Sequence, residues 1–412
     1  MKNEKVNIVI IGGGAAGFFG ALRAKFLLPD AHVVIFEKSN KLLAKVKVSG
    51  GGRCNVTHHC FEISKLLKNY PRGEKDLRPA FNQFACKDTV SWFEDRGVSI
   101  KVEEDGRMFP TSNNSQSIID CLLSEAEDLG VEIYTSTNVQ KVSAIKEKIE
   151  ITFDNERKEI FDAVLIATGG HPSVASYKWL SELKHQIISP LPSLFTFNLK
   201  EKNICSLMGI SVHEAQAKIA GTKFVQSGPL LITHWGFSGP AILKLSAFAA
   251  RELATKNYEF TVAINWLNKL EEDIRSILNT LKSQFPKRTL ARSNEFNLPK
   301  RLWDFLLLKV KIDQEQVIGQ LAKDSLNRLV NVLVNDQYEV RGKTTFKEEF
   351  VTCGGIDTAE IDFLTMESKL VPNVFFGGEV LNIDAMTGGF NFQAAWTAGY
   401  VAGTTIGKRF SR

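Results

Sequence analysis

The sequence predicts an α/β fold in which two separated chain segments build one parallel-sheet domain and a second domain is inserted between them. Three observations carry this. An apolar run, Ile8 to Ile11, leads directly into Gly12-x-Gly14-x-x-Gly17 and then into a helical stretch, Phe18 to Leu28. That strand, turn and helix order is the Rossmann-like arrangement for a dinucleotide. The texture then changes after Pro190 and Pro192, and the first texture returns at Thr344, where strand, glycine pair and helix again follow one another. Residues 1–190 and 344–412 therefore read as one domain, and 191–343 as the insert, β-rich over 191–265 and helical over 266–343.

Each glycine of the first motif has its own duty. Gly12 makes the tight turn, Gly14 lets backbone approach a pyrophosphate, and Gly17 lets the helix pack close to the strand. Backbone N–H groups at Ala15, Ala16 and Gly17 then point at the phosphates from the positive end of the helix dipole. The next strand, Ala31 to Phe36, ends in Glu37, twenty residues beyond Gly17. A carboxylate there accepts from both hydroxyls of an adenosine ribose and repels a 2′-phosphate, which selects FAD or NAD over NADP.

Lys38 to His58, with Lys45 inside it, reads as a long structured loop, too rich in glycine to be a core element. Within it Gly50, Gly51 and Gly52 allow backbone to lie flat against a planar ligand, while Arg53 and Asn55 supply donors. Phe61 to Arg96 reads as helical and is ended by Gly97, Val98 to Val102 as a strand, Gly106 to Pro110 as a turn, and Ser115 to Leu129 as an amphipathic helix ended by Gly130. Val131 to Ser136 is a strand, alternating strands follow around Ala144 and Ile151, and Phe161 to Gly170 is a buried parallel strand closing on Thr168-Gly169-Gly170. In the insert, LFTFNL and PLLITHWG are strand-like, Pro240 to Leu253 is an apolar helix, and Leu267 to Val334 is mostly helical.

The final segment, Pro372 to Gly399, separates FAD from NAD, because a domain binding NAD alone needs no second site-building segment at its far end. Glu379 follows the strand Val374 to Phe376 and Gly377-Gly378, placed to reach a ribityl hydroxyl. Gly388-Gly389 opens a helix, Asn391 to Ile406, whose N–H groups suit the flavin N1 and C2 carbonyl, where negative charge collects on reduction.

At 412 residues and 44% apolar content, the chain suits a globular protein with sizeable cores. No basic and apolar leader precedes the first strand and no apolar run is long enough for a bilayer, so a cytoplasmic protein is expected. The six cysteines, at 54, 60, 86, 121, 205 and 353, show neither a C-x-x-C pair nor zinc spacing, so neither a disulfide framework nor a metal site is expected. The net charge of +5 is uneven: Lys282 to Lys311 carries eight Lys/Arg against two Asp/Glu. That stretch is either the solvated face of helices or a phosphate-contacting surface.

Taken together, Gly12 to Gly17, SGGGRCN at Ser49 to Asn55, the FP-x-S turn at Phe109 to Ser112, ATGG at Ala167 to Gly170, THWGFSGP at Thr233 to Pro240, and GGE with TGGFNFQ-x-AW at Gly377 to Trp396 resemble the BaiN/YhiN-like flavoproteins. These carry labels such as NAD(P)/FAD-dependent oxidoreductase or aminoacetone oxidase family FAD-binding enzyme. The resemblance covers nearly the whole chain. It implies a flavin domain interrupted by a small β-barrel and a helical part. It also implies that Glu37, with Lys38 beside it, holds the adenosine ribose, the Val139 backbone the adenine, Ala167, Thr168 and Gly169 the pyrophosphate side, and Gly378 and Glu379 the ribityl chain. Ser49, Gly50, Gly52, Arg53, Cys54 and Asn55 on one side, and Gly388, Gly389, Phe390, Asn391 and Phe392 on the other, would flank the isoalloxazine. Two departures matter: Leu43-Ala44-Lys45 keeps only the lysine of the Gly-Arg-Lys found in many members, and His171 to Tyr177 shortens a loop that is longer in many.

The expected function is FAD-dependent oxidoreduction, a hydride passing through flavin N5 to or from a small organic substrate bound between the flavin and the insert. With no second G-x-G-x-x-G after a strand, NADH or NADPH would serve only as a transient donor. His234, beside Trp235, is the candidate proton donor, with a purely structural histidine as the alternative. Cys54, next to Arg53, is a candidate low-pKa thiol without a resolving partner. An RNA-linked flavoprotein using Lys282 to Lys311, or a non-enzymatic flavin redox sensor, are the alternatives, and a nucleic-acid partner is the less expected.

Overall fold

The structure is a computed structural model describing residues 5–344 and 351–411. It divides into two compact units, Met1–Ser193 with Lys347–Arg412, and Leu194–Phe346. The first unit is built on a seven-stranded sheet. At its centre β1 (Asn7–Ile11) pairs in parallel with β2 (His32–Phe36) on one side and Ala163–Ile166 on the other. Glu132–Tyr134 extends the sheet beyond β2, and Val374–Phe376, from the second chain segment, extends it beyond Ala163–Ile166, both in parallel. Two short antiparallel strands, Ile361–Asp362 and Glu367–Ser368, finish that edge. Ile8, Val9 and Ile10 are fully buried. Helices cover both faces of such a strand, which is why it reads as an unbroken apolar run rather than an alternation.

Helix α1 (Ala15–Leu27) packs along the C-terminal helix Phe390–Phe410. Their approach is close because Gly399 and Gly403 face α1 backbone: a Cβ on either would stand 2.3 Å from Ala16 O or 2.4 Å from Gly20 O. The helices that open the two glycine-rich motifs are thereby fixed against each other.

Three sequence expectations need correction. Lys38 to His58 is not all loop: Ala44–Gly52 is assigned helical, but Ser49, Gly50 and Gly51 leave helical geometry, and Thr57–His58 is a short strand. Val46, 1% exposed, anchors the helical turn, and the glycines at φ of +58°, +69° and +83° fold the chain back. Arg107–Pro110 is a strand paired with both Ile100–Val102 and Thr57–His58. The turn falls earlier, closed by Gly106 N–H donating to Glu103 O. Burial of Met108 and Phe109 overrides the Gly and Pro that suggested a turn. The apolar helix of the insert is two helices, Pro240–Phe248 and Ala250–Thr255, broken at Ala249.

In the second unit six strands, Thr196–Leu199, Ser211–Ile219, Val225–Ile232, Gly236–Ser238, Glu259–Asn265 and Asp336–Thr344, close into a barrel. The helices Glu271–Gln284, Lys300–Lys309 and Lys323–Val334 form the helical part. Asp336, 3% exposed, ties the two parts together, accepting from Lys309 Nζ at 2.5 Å, Trp266 Nε1 at 3.0 Å and Tyr338 OH at 2.5 Å.

Candidate cofactor site

The three glycines of the first motif differ in what surrounds them. A Cβ on Gly12 would stand 2.5 Å from Ala167 O, and one on Gly17 would stand 2.0 Å from Gly12 O, so both positions are closed by backbone. Gly14 has nothing within 4 Å of that position. Gly169, at φ +74°, is equally open. An open glycine at the start of α1 and another at the end of the neighbouring strand form the bare backbone cradle that a pyrophosphate needs. Both α1 and the C-terminal helix begin after a glycine, Gly14 and Gly389, which brings no capping side chain.

Glu37 sits at the end of β2, where Oε2 accepts from Gly13 N–H and Oε1 from Ser39 N–H, each at 2.9 Å. A carboxylate has about four acceptor directions, so two remain for ribose hydroxyls. Glu379 is held from two sides, by Lys45 Nζ at 2.6 Å and by Thr352 N–H at 2.6 Å. Thr352 is fully buried and its Oγ1 has no hydrogen-bond partner among the described residues. A Cβ on Gly170 would stand 2.4 Å from that oxygen and 2.9 Å from Glu379 Oε1. Gly170, Thr352 and Glu379 thus converge on one polar spot, and an orphaned hydroxyl there suits a hydroxylated chain. The open glycines, the uncapped helix starts and this orphan all fit FAD.

The two segments assigned to the flavin ring meet each other. With its amide oxygen turned toward the helix, Asn55 accepts from Gly389 N–H at 3.0 Å and donates to Thr57 O at 3.0 Å. Arg53 donates to Gly50 O at 3.3 Å and Glu103 at 2.6 Å, and lies 4.0 Å over the Phe109 ring. Both side chains therefore fasten the glycine loop. Behind the loop, fully buried Gln393 accepts from Thr57 and Thr89 hydroxyls at 2.6 and 2.9 Å and donates to Thr397 at 3.0 Å. Fully buried Asp384 pairs with Arg72 and accepts from Ser193 at 2.7 Å, anchoring the chain that leads into Gly388.

Cys54 is not a low-pKa thiol. It is fully buried, and loss of solvent pushes its pKa up to about 12 despite a hydrogen bond from Ser49. Val139 opens the strand Val139–Ile145 and is 9% exposed. Lys38 follows Glu37 at the end of β2. His234 lies in the second unit, exposed, its ring edge-on to Trp235 at 4.2 Å. In the basic stretch, Arg288, Lys300 and Lys309 pair with Glu295, Asp304 and Asp336, while Lys282 and Arg301 donate to backbone carbonyls. Much of that charge is absorbed within the unit.

His171, just after the Ala167 to Gly170 run, is a residue that motif reasoning passed over. It is 8% exposed, with Nε2 3.1 Å from Thr168 Oγ1. Burial first, and then the charge of Lys38, lower its pKa to about 4, so it is neutral near pH 7. The folded value lies below the ordinary one near 6.5, so its stabilising contribution is complete above about 6.5 and is lost as pH falls through about 4. His171→Gln should flatten the fall in unfolding free energy across that window, by up to ~3 kcal/mol at its acid end. Identical acid limbs in the two proteins would refute this.

Residues 6–405 match the family described as HI0933-like protein Rossmann domain. The ribosomal RNA dihydrouridine synthase of Haemophilus influenzae is 30% identical, covering 97% of this chain and 98% of that one. The enzyme of the same name from Escherichia coli is 29% identical, covering 96% and 97%. The 3-dehydro-bile acid delta(4,6)-reductase of Clostridium scindens is 26% identical, covering 98% and 99%. No helix among the described residues is long and apolar enough to cross a membrane. With a family match over nearly its whole length and relatives alike from end to end, the chain belongs to the HI0933-like family, and is a flavoprotein oxidoreductase as its resemblance to the BaiN/YhiN-like proteins implied.

Proposed function

We propose that the chain reduces a carbon–carbon double bond conjugated to a carbonyl, and that a uracil ring of ribosomal RNA is its substrate. The observation that carries the chemistry is the pairing of an open backbone cradle at Gly14 and Gly169 with a second glycine-opened helix at Gly389. The first suits the pyrophosphate and the second the pyrimidine edge of a flavin. When bound and reduced, FAD supplies a hydride through N5, with NADH or NADPH as the transient source of its electrons.

The chain's own residues bind and orient the cofactor. Glu37 and Lys38 lie at the adenosine ribose, the Val139 backbone at the adenine, and Gly12 to Gly17 with Ala167 to Gly169 at the pyrophosphate. The Lys45–Glu379 pair and Gly378 lie along the ribityl chain. Ser49 to Asn55, clipped to Gly389 through Asn55, and Gly388 to Phe392 border the flavin ring.

The relatives support the reaction class. Forming dihydrouridine saturates the C5–C6 bond of uracil, and a delta(4,6)-reductase saturates ring double bonds, so both names describe addition of hydride and proton to a conjugated alkene. RNA is placed first because two relatives that match end to end act on it by name, and because Lys287, Arg292 and Lys311 remain exposed in the basic stretch. A small enone is the second reading, favoured by the bile-acid reductase and by the ion pairs that engage Arg288, Lys300 and Lys309 within the unit.

The test gives purified protein, FAD and NADH or NADPH either unmodified ribosomal RNA or a panel of cyclic enones, with mass spectrometry as the readout. Dihydrouridine in the RNA is the expected result. Saturation of enones alone transfers the assignment to the second reading. If both substrate sets come back unchanged while the flavin is reduced, the reductase reading is wrong.

A further inference from the structure

Thr168 stands just past the strand Ala163–Ile166, whose partner β1 leads into the first glycine turn. A Cβ on Gly12 would lie 3.0 Å from Thr168 Cα, so the two residues sit side by side at the carboxyl edge of the sheet, where folds of this kind bind their ligands. Thr168 is half-buried, and the open Gly169 follows it. His171, itself buried, brings Nε2 to 3.1 Å from Thr168 Oγ1. Its imidazole is held against the buried ring of Tyr177, with centroids 4.8 Å apart and planes at 78°. Being neutral near pH 7, the imidazole has one nitrogen that donates and one that accepts, and the bond to Thr168 can run either way. Beside an anion the two directions are not equal. A threonine hydroxyl carries a single proton. If Thr168 donates that proton to His171, only oxygen lone pairs face the cradle, and they repel a phosphate oxygen. If Nε2–H donates to Thr168 instead, the threonine proton stays free for the anion.

We propose that His171 is a positioning residue for the cofactor: its Nε2–H donates to Thr168 and so aims the Thr168 hydroxyl proton at the pyrophosphate. The assignment rests on the placement of the pyrophosphate beside Gly14 and Gly169 proposed above. A hydroxyl whose direction is set in advance makes its charge-assisted bond without first losing its own rotational freedom. The neutrality of the imidazole matters to this role. Lys38 and Lys45 already bring positive charge to it and Glu379 negative charge, and burial keeps the ring from adding a charge of its own. It contributes a direction only. Since it acts through Thr168, its effect on the cofactor must vanish when the Thr168 hydroxyl is absent.

Titration of flavin-free protein with FAD near pH 7, read by absorbance and without substrate, tests the inference. His171→Leu and Thr168→Val should each weaken FAD binding about tenfold or more, the loss of one hydrogen bond to a charged group. The double variant should bind within about threefold of Thr168→Val alone. His171→Gln, whose amide nitrogen can stand where Nε2 stands, should stay within about threefold of wild type. Wild-type affinity in His171→Leu overturns the inference, as do losses that multiply in the double variant or a glutamine variant as weak as the leucine one. Should the leucine variant fail to fold, the wild-type ring decides. In protein with ¹⁵N-labelled histidine and bound FAD, the His171 ring nitrogens, identified by their absence in His171→Gln, should show the proton on Nε2, and a proton on Nδ1 alone overturns the inference. Wild-type protein that takes up no FAD overturns the placement of the pyrophosphate and the inference with it, whereas wild-type uptake with unaltered variants overturns the inference alone.

Discussion

Gly14→Ala should fold normally and lose its flavin, whereas Gly17→Ala should lose both. The contrast comes from what a single methyl group meets. At Gly14, φ is −100° and ψ −170°, a backbone that alanine adopts freely, and no protein atom lies within 4 Å of the added carbon. The methyl therefore intrudes only on the space assigned to the pyrophosphate. Bound flavin, read as visible absorbance per protein after gel filtration, should fall at least about tenfold, a loss of ~1.4 kcal/mol or more. The melting temperature without added flavin should match wild type. At Gly17 the added carbon stands 2.0 Å from the carbonyl oxygen of Gly12, a backbone atom held in the turn after β1. No side chain can swing aside, so α1 must move off the strand, at a cost on the order of 3 kcal/mol. A flavin-replete Gly14→Ala would remove the pyrophosphate from this cradle, and a wild-type melting curve for Gly17→Ala would contradict the packing.

Gln393→Leu should cost about as much without touching the cofactor. Its carbonyl is the acceptor for two buried hydroxyls, on Thr57 and Thr89, and leucine leaves both donors unpaired in a dry core. At ~1 to 3 kcal/mol for each stranded group, the loss should be about 3 kcal/mol or more. For a unit of this size that is a fall of about 6 to 12 °C in melting temperature. The same change made together with Thr57→Val and Thr89→Val removes both stranded donors, and much of the stability should return, since Thr397 still donates to Phe84 O and the apolar replacements strand nothing. If the triple variant is less stable than Gln393→Leu alone, the network is not what holds this helix.

These cases show why some of the site was legible in the sequence and some was not. The duties of Gly12, Gly14 and Gly17 follow from local geometry, since the turn, the approach and the packing all lie within one strand, turn and helix. Glu37 is legible for the same reason, since a residue ending β2 lies beside Gly13 in any fold of this type. The glycine loop was misread because three glycines in a row mask the short helical turn held by Val46. The thiol of Cys54 could not be read from its cationic neighbour in sequence, because its environment is set by burial. The Gln393 network is invisible in any window of sequence: its hydroxyl partners lie 336 and 304 residues away.

The parallel pairing of Ala163–Ile166 with Val374–Phe376 has a consequence for biosynthesis. As the chain leaves the ribosome, the first four parallel strands are complete by residue 166, but the strand that covers their open edge is made only about two hundred residues later. The intervening unit has its own closed barrel and core, and so can fold in that interval. Until residue 376 emerges, four fully buried positions, Ala163 to Ile166, present unpaired backbone and apolar side chains along an unprotected edge. Slower elongation through the insert prolongs that exposure. Nascent chains stalled there should therefore depend on a chaperone more than the finished chain does.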